Sequence, residues 1–135
     1  MLVKKFMLLG ISMILCVNVF AQLSPVGLET QVNTTSAFSQ QNPTVAIDDN
    51  GNYVVVWESL DQDGSGYGIY AQRYDDSGTP QGSETLINGT TTNDQRFPAI
   101  AMDNSGNYTI VWQSLDQDSD GWGIYARRYD NAGTA

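Results

Sequence analysis

The sequence predicts an all-β fold built from two copies of one strand-rich unit, and three observations support this prediction. A shift of 55 residues aligns 27–80 with 82–135 without a gap, and 29 of the 54 aligned positions are identical. Within each copy, short runs rich in Val and aromatic residues alternate with turns of Asp, Asn and Gly, as is typical of strands. No segment of either copy shows a helical period of apolar residues. We therefore expect two repeats without helices, at 27–81 and 82–135.

A complete unit contains four candidate strands. The first set of four, here called the first unit, lies at 44–48, 53–59, 67–75 and 84–88, so its fourth strand falls within the second 55-residue copy. The sequence Asp-Asn-Gly-Asn between the first two predicts a tight hairpin, because Asn and Gly adopt a positive φ at low cost. A segment similar to the fourth strand, at 29–33, precedes the first unit, so the predicted total is eight strands.

The second candidate strand of each unit is apolar on both faces. In the first unit Tyr53, Val55 and Trp57 point to one side, whereas Val54 and Val56 point to the other. A strand that is buried on both sides needs a sheet packed on each, as in the stacked four-stranded antiparallel blades of a β-propeller. A β-sandwich, which buries such strands on one side only, ranks second. The two tryptophans at this position, Trp57 and Trp112, are predicted core residues.

Two blades are too few to close a ring, because known propellers contain about four to eight. The segment 29–33 lacks a unit of its own, and the second unit lacks its fourth strand, so the first could complete the last, as in overlapping ring closure. We therefore expect further blades, either from sequence beyond this chain or from a homo-oligomer.

The first 21 residues have the three regions of a secretory signal peptide. Lys4 and Lys5 form a positive start, an apolar run follows at 6–20, and small residues precede a cleavage site before Gln22. The protein is therefore expected to be secreted, extracellular or at the cell surface, without membrane insertion after the signal is removed. Removal also takes away the single cysteine, Cys16, so disulfides do not stabilise the remaining domain.

The processed chain is strongly acidic. It retains four arginines against 15 carboxylates, which gives a formal charge of −11. Nucleic acids are bound by basic patches, so this charge argues against them as partners. It is compatible with a cation.

One segment resembles a known repeat. The sequence GYGIYAQRYD at 66–75, followed by GSE at 82–84 and NGTT at 88–91, resembles a repeat found in tandem in large secreted bacterial surface proteins. Those repeats look like propeller blades and often adjoin adhesion or calcium-binding modules. The resemblance, which covers 27–135, implies a surface location and a propeller-like architecture. A glycan or a surface protein is the expected partner. The resemblance implies no catalytic residues.

The loop between the second and third strands is a candidate calcium site. In the second unit, alternate carboxylates precede a glycine, which is the spacing of the first half of an EF-hand loop. The first unit has a weaker version of this pattern, and both lack the terminal carboxylate. The alternative is an acidic turn that closes a hairpin without a ligand. The candidate Ca²⁺ ligands are Asp61, Asp63, Ser65, Asp116, Asp118 and Asp120.

Two aromatic residues flanked by glycines, Tyr67 and Trp122, are candidate sugar-stacking residues. Arg73 and Arg128 follow them and could donate hydrogen bonds to a carbohydrate. The alternative is that these rings pack between blades, since aromatic side chains mostly serve packing.

Catalysis is the least favoured reading. The processed chain has neither His nor Cys, which excludes the nucleophile systems that depend on them. Glu58, near Asp61 and Asp63, could in principle take part in glycoside hydrolysis, but it is replaced by Gln113 in the second unit. The sequence therefore predicts a non-enzymatic structural or adhesive binding module. The alternative is a carbohydrate-binding lectin formed by oligomerised two-blade chains.

Overall fold

The computed structural model describes residues 25 and 27–135, and these residues form two antiparallel β-sheets without a helix. The strands are β1 (Gln40–Ile47), β2 (Tyr53–Leu60), β3 (Tyr67–Tyr74), β4 (Thr85–Leu86), β5 (Gln95–Met102), β6 (Tyr108–Leu115) and β7 (Trp122–Tyr129). The first sheet has the strand order β1-β2-β3-β4 and the second has the order β5-β6-β7.

The predicted signal peptide at 1–21 lies outside the described residues. Within the described ranges, no helix is long and apolar enough to cross a membrane.

The two units have the same local structure, as the repeat predicts, but their first strands begin earlier than expected. β1 begins at Gln40 rather than at 44, because a β-bulge between Gln41 and Thr44 lets the strand continue past Pro43. A bulge is one of the few places where a strand tolerates proline, which has no N–H to donate. Asn42 in this bulge has a φ of 52°, and Phe97 in the matching bulge of β5 has a φ of 55°.

The predicted strand at 29–33 is wrong, whereas the second sheet has three strands and lacks the fourth strand of a complete unit, as expected. Residues 29–33 do not form a strand, so the described part of the chain has seven strands, not eight. The fourth strand of the first unit does form, and its pairing explains the difference: β4 has the edge of β3 beside it. Residues 29–33 instead lie beside the first sheet, where they border a groove with Val55 and Trp57.

The tight hairpins predicted after β1 and β5 are confirmed. In the first of these turns the Gly51 amide donates to the Asp48 carbonyl at 3.1 Å, and the Asp48 amide donates to the Asn52 carbonyl at 2.9 Å. Gly51 has a φ of 90° and the equivalent Gly106 has a φ of 83°. Glycine adopts such a positive φ more readily than any other residue, because it has no Cβ.

The core lies between the two sheets, which pack face to face. β5 contacts β1, β2 and β3 of the first sheet. Trp112 lies in this core, and Trp57 is equally buried on the opposite face of the first sheet, as predicted. The first unit contributes Val54, Val56, Ile69, Ala71 and Ile87 to the core, and the second contributes Tyr108, Ile110, Trp112 and Tyr129.

Candidate functional site

A buried carboxylate links the two sheets. Glu58 on β2 is fully buried, and its Oε1 accepts a hydrogen bond from the Phe97 amide of the second sheet at 2.5 Å. Its Oε2 forms an ion pair with Arg96 at 3.2 Å and also accepts a hydrogen bond from the Asn42 side chain. A buried charge requires such partners, because desolvation without them is costly. Glu58 therefore joins the sheets and does not face solvent.

This position removes Glu58 from the glycoside-hydrolysis reading. A catalytic carboxyl group must reach the bond that it protonates or attacks. Glu58 has a relative exposure of 0% and uses both oxygens in contacts within the protein. Asp61 is exposed in the loop that follows β2, whereas Glu58 is buried between the sheets.

Arg73 on β3 makes a second link between the sheets. Its guanidinium donates to the backbone carbonyls of Asn131 at 2.6 Å and Ala132 at 2.5 Å. Both carbonyls belong to the turn that follows β7, so one arginine bridges from the third strand of one unit to the end of the other. Arg73 is therefore occupied by protein acceptors.

A polar cleft of about 220 Å³ lies between the sheets on the side of these turns. Burial raises the pKa of Tyr108, in this cleft, to about 12, and the nearby Arg73 acts in the opposite direction. The Asn52 side chain donates to Asp48 and so lowers the pKa of that carboxyl group below its usual 3.8. The cleft thus presents a neutral phenol, a carboxylate and a guanidinium, which supports hydrogen bonding rather than proton transfer near neutral pH.

The carboxylates predicted to bind calcium mostly bond to their own loops. Asp61 Oδ1 accepts from the Gly66 amide at 3.1 Å, and Asp116 Oδ1 accepts from the Gly121 amide at 3.0 Å. Asp63 Oδ1 and Asp118 Oδ1 each accept at 3.3 Å from the amide two residues later, which belongs to Ser65 or Asp120. Within residues 25 and 27–135, no three acidic, His or Cys groups come together as a metal site. Calcium binding stays a prediction based on spacing.

The residues predicted to bind carbohydrate do not form a common site within either unit. Tyr67 and Arg73 lie at opposite ends of β3, and Trp122 and Arg128 lie at opposite ends of β7. Six strand residues span roughly 20 Å, which is too far for one sugar ring. Tyr67 lies under the Arg96 guanidinium, which is 4.3 Å from its ring centroid, whereas Trp122 is 47% exposed. Trp122 alone remains available to stack on a ligand.

Sequence analysis missed two apolar faces that the sheets leave uncovered. The outer face of the second sheet, here called the tail face, includes Ile124, which is 72% exposed. The opposite outer face of the first sheet, here called the head face, includes Val45 and Ile47, which are 61% and 63% exposed. The tail face consists of Val111, Trp122, Ile124 and Arg128, and the head face of Val32, Val45, Ile47 and Val55.

The head face contains a groove of about 320 Å³. Its floor includes Val55 and Trp57 of β2, and one wall is formed by Thr30, Gln31, Val32 and Asn33. The segment that sequence analysis predicted as a strand therefore borders this groove.

Comparisons with known proteins give one structural likeness. No family model matches the chain, and no curated protein matches it. Among solved structures, it is similar to the crystal structure of endo-arabinase from Bacteroides thetaiotaomicron, with a TM-score of 0.52 and 18% sequence identity. The match covers 81% of this chain and 43% of the arabinase, so the chain spans less than half of that enzyme. At this identity the likeness shows the fold alone.

Proposed function

We propose that this chain is an exported, non-catalytic repeat module whose two sheets are consecutive blades of a β-propeller, with a structural or adhesive role at the cell surface. The observation that carries this proposal is the packing of the two repeats: one face of the first sheet is buried against the opposite face of the second. Stacking of like units through unlike faces is how propeller blades and repeat arrays bury their cores.

The proposed lack of catalysis is supported by what these side chains contact. Glu58, Arg96 and Arg73 are all used in contacts between the sheets. We therefore expect the purified protein to release no reducing sugar from arabinan, the polymer suggested by the arabinase likeness. Turnover that persists in a Glu58→Gln variant would place catalysis elsewhere in the chain, and turnover lost in that variant would contradict the assigned role of Glu58. Either result would overturn the non-catalytic proposal.

Export is tested separately from architecture. Residues 1–21, fused to a reporter enzyme that is active only outside the cytoplasm, should give full activity. A matched fusion in which Lys4 and Lys5 are both replaced by Glu should lose most of it, because the positive start of the signal is removed. A reporter that stays inactive with the native segment would contradict export and leave the stacked sheets untouched.

A carbohydrate ligand is the second candidate, and the exposure of Trp122 is the observation that favours it. An exposed indole ring flanked by glycines offers a flat apolar surface to a sugar. Binding on a glycan array should disappear in a Trp122→Ala variant and persist in a Tyr67→Phe variant, because Tyr67 is already covered by Arg96. No signal with the native protein would remove this candidate.

Calcium is tested through stability. If the loops bind the ion, calcium chloride should raise the midpoint of thermal unfolding, EDTA should reverse the rise, and Asp118→Asn should reduce it. An EDTA-insensitive midpoint would show that the loops are acidic turns without a metal.

A further inference from the structure

We infer that the tail face binds the head face of a second copy of this chain, and that residues 29–33 of that copy add a fourth strand to β7. This inference rests on the proposed stacking of the two sheets as blades. It goes further by assigning both uncovered faces to one partner. In the contact between copies, equivalent residues would pack as they do in the contact between the two sheets of one chain.

The tail face repeats a surface that is buried elsewhere in the same molecule. Ile69 and Ile124 occupy equivalent positions, yet Ile69 is 0% exposed and Ile124 is 72% exposed. Val56 and Val111 are also equivalent, with exposures of 0% and 36%. The buried member of each pair packs against the second sheet. Identical side chains at equivalent positions of the two strand pairs can pack against the same kind of sheet.

The head face repeats the opposite side of that contact. In the second sheet, Ile100 and Met102 pack against the core between the sheets. Their equivalents in the first sheet are Val45 and Ile47, which are more than half exposed. Val55, in the groove of the head face, is equivalent to Ile110, which is fully buried in the core. Each uncovered face thus matches one side of an interface that already exists.

Residues 29–33 are already arranged like the strand that they would become. Beside β4, Asn88 donates to the Thr90 carbonyl and to Gln95 Oε1, while its own Oδ1 accepts from the Ile69 amide of β3 at 2.7 Å. Asn33, the equivalent residue, donates to the Thr35 carbonyl at 2.7 Å and to Gln40 Oε1 at 3.2 Å.

Two contacts of Asn88 lack a counterpart at Asn33: the hydrogen bond from the Ile69 amide, and the donation from the Asn88 side chain to Asp63 Oδ2 at 3.3 Å. Among the described residues, no donor pairs with Asn33 Oδ1 and no strand pairs with the outer edge of β7. The amide equivalent to that of Ile69 is the amide of Ile124, on this free edge. Asn33 of a second copy would therefore accept from the Ile124 amide.

The polar residues of the two junctions differ in a coordinated way. Within the chain, Glu58 meets Arg96 across the sheets. At the junction between copies, the equivalent residues are Gln113 and Gln41, so an acid and a base are both replaced by amides. A neutral pair buries no unpaired charge. Arg128, equivalent to Arg73, would donate to the carbonyls of Asp76 and Ser77 in the second copy, which correspond to those of Asn131 and Ala132.

The test measures the mass of the purified protein by sedimentation velocity across a range of concentrations. The native chain should form a discrete species of two or more copies. Ile124→Glu on the tail face and Val45→Glu on the head face should each weaken association by about 100-fold or more, because each would bury an unpaired carboxylate. Both residues are exposed in the single chain, so neither change should alter its fold, as checked by near-ultraviolet circular dichroism.

A mixture of the two variants distinguishes unlike faces from like faces. Ile124→Glu retains a working head face and Val45→Glu retains a working tail face, so an equimolar mixture should form dimers and nothing larger. Asn104→Asp is the charge-matched control, because it adds one negative charge in a turn where the first unit already has Asp49, and it should associate like the native chain.

Three outcomes would overturn the inference: a native chain that stays monomeric, an Ile124→Glu variant that still associates, or a mixture that yields no dimer. A monomeric native chain would indicate that further repeats of one polypeptide cover these faces. Two copies fused in tandem would then be more stable than one. Such a result would overturn the contact between copies and leave the proposed stacked blades intact.

Discussion

Glu58 is the residue on which the contact between the two sheets most depends. Replacing it with Ala leaves the Arg96 guanidinium and the Phe97 amide without their acceptor in a largely buried setting. We expect Glu58→Ala to lower the free energy of unfolding by about 3 kcal/mol, measured by urea denaturation. Gln113→Ala, at the equivalent half-exposed position, should change it by less than about 0.5 kcal/mol. Equal effects of the two substitutions would contradict a special role for Glu58.

Phe38 is a residue whose backbone conformation does not suit its side chain. It has a φ of 59° and is 68% exposed, whereas the equivalent residue of the second unit is Asn93, with a φ of 62°. Asn tolerates this left-handed region better than Phe. We expect Phe38→Asn to raise the free energy of unfolding by about 0.5–1 kcal/mol and Asn93→Phe to lower it. A loss of stability in Phe38→Asn would show that contacts of the Phe38 ring stabilise the fold by more than its positive φ destabilises it.

At the residue scale, the features predicted from the sequence are those that depend only on neighbouring residues. The buried state of Trp57 and Trp112 follows from strand alternation, and the turn glycines follow from their positions between strands. The ion pair between Glu58 and Arg96 was not predicted, because the two residues are 38 positions apart and belong to different units. Both are places where the two copies differ, which was a usable signal.

The turns that close the hairpins are elements whose stability depends on pH. Asp103 Oδ1 accepts from the Asn107 and Ser105 amides, and its Oδ2 from the Asn107 side chain at 2.9 Å. The Asn107 side chain is the main reason that the pKa of Asp103 lies below 3.8 in the folded state. Hydrogen bonds from Ser77 and Asn52 lower the pKa values of Asp75 and Asp48 in the same way.

A pKa lowered by folding makes stability depend on pH in one direction. The unfolded chain takes up these protons first, so the contribution is complete above the unfolded pKa of 3.8 and is lost as the pH falls through the folded value. We expect Asp103→Asn to be less stable than the native chain at pH 7, with the difference shrinking at about pH 2.5. Urea denaturation at both pH values measures it, and a difference independent of pH would exclude this origin.

The first and last residues of a strand depend on its pairing with other strands as well as on its own sequence. β2 was predicted to within one residue because its Val-rich alternation needs no other information. β1 was predicted four residues too short, since proline normally excludes a strand and the bulge that accommodates Pro43 depends on pairing with β2. Residues 29–33 have strand-like composition but lack a partner edge, and a strand exists only with a partner.

The molecule as a whole joins two units through unlike faces, which leaves one face of each kind uncovered. Alternation along β2 predicted burial on both sides, and the buried core between the sheets confirms it for one junction. The predicted calcium and carbohydrate residues could not be assembled in the same way. The carbohydrate candidates lie at opposite ends of one strand, and the calcium candidates accept hydrogen bonds from the amides of their own loops.

Net charge decides how association between copies should respond to salt. Without the predicted signal peptide the chain carries −11, so two copies repel each other, and the proposed Gln113–Gln41 contact contains no attractive ion pair that salt could weaken. Screening acts over about 10 Å at 0.1 M ionic strength and weakens this repulsion. We therefore expect the Kd for association to fall as sodium chloride rises from about 0.02 M to about 0.5 M.

A double variant should weaken this salt dependence and serves as the control. Gln41→Arg combined with Gln113→Glu transfers the acid and base of the Glu58–Arg96 junction to the contact between copies. Its association should be less favoured by salt than that of the native chain, because screening now also weakens an attraction. Sedimentation velocity at matched protein concentrations measures both responses. Native association that weakens with salt would mean that ion pairs, rather than the apolar tail and head faces, hold the copies together.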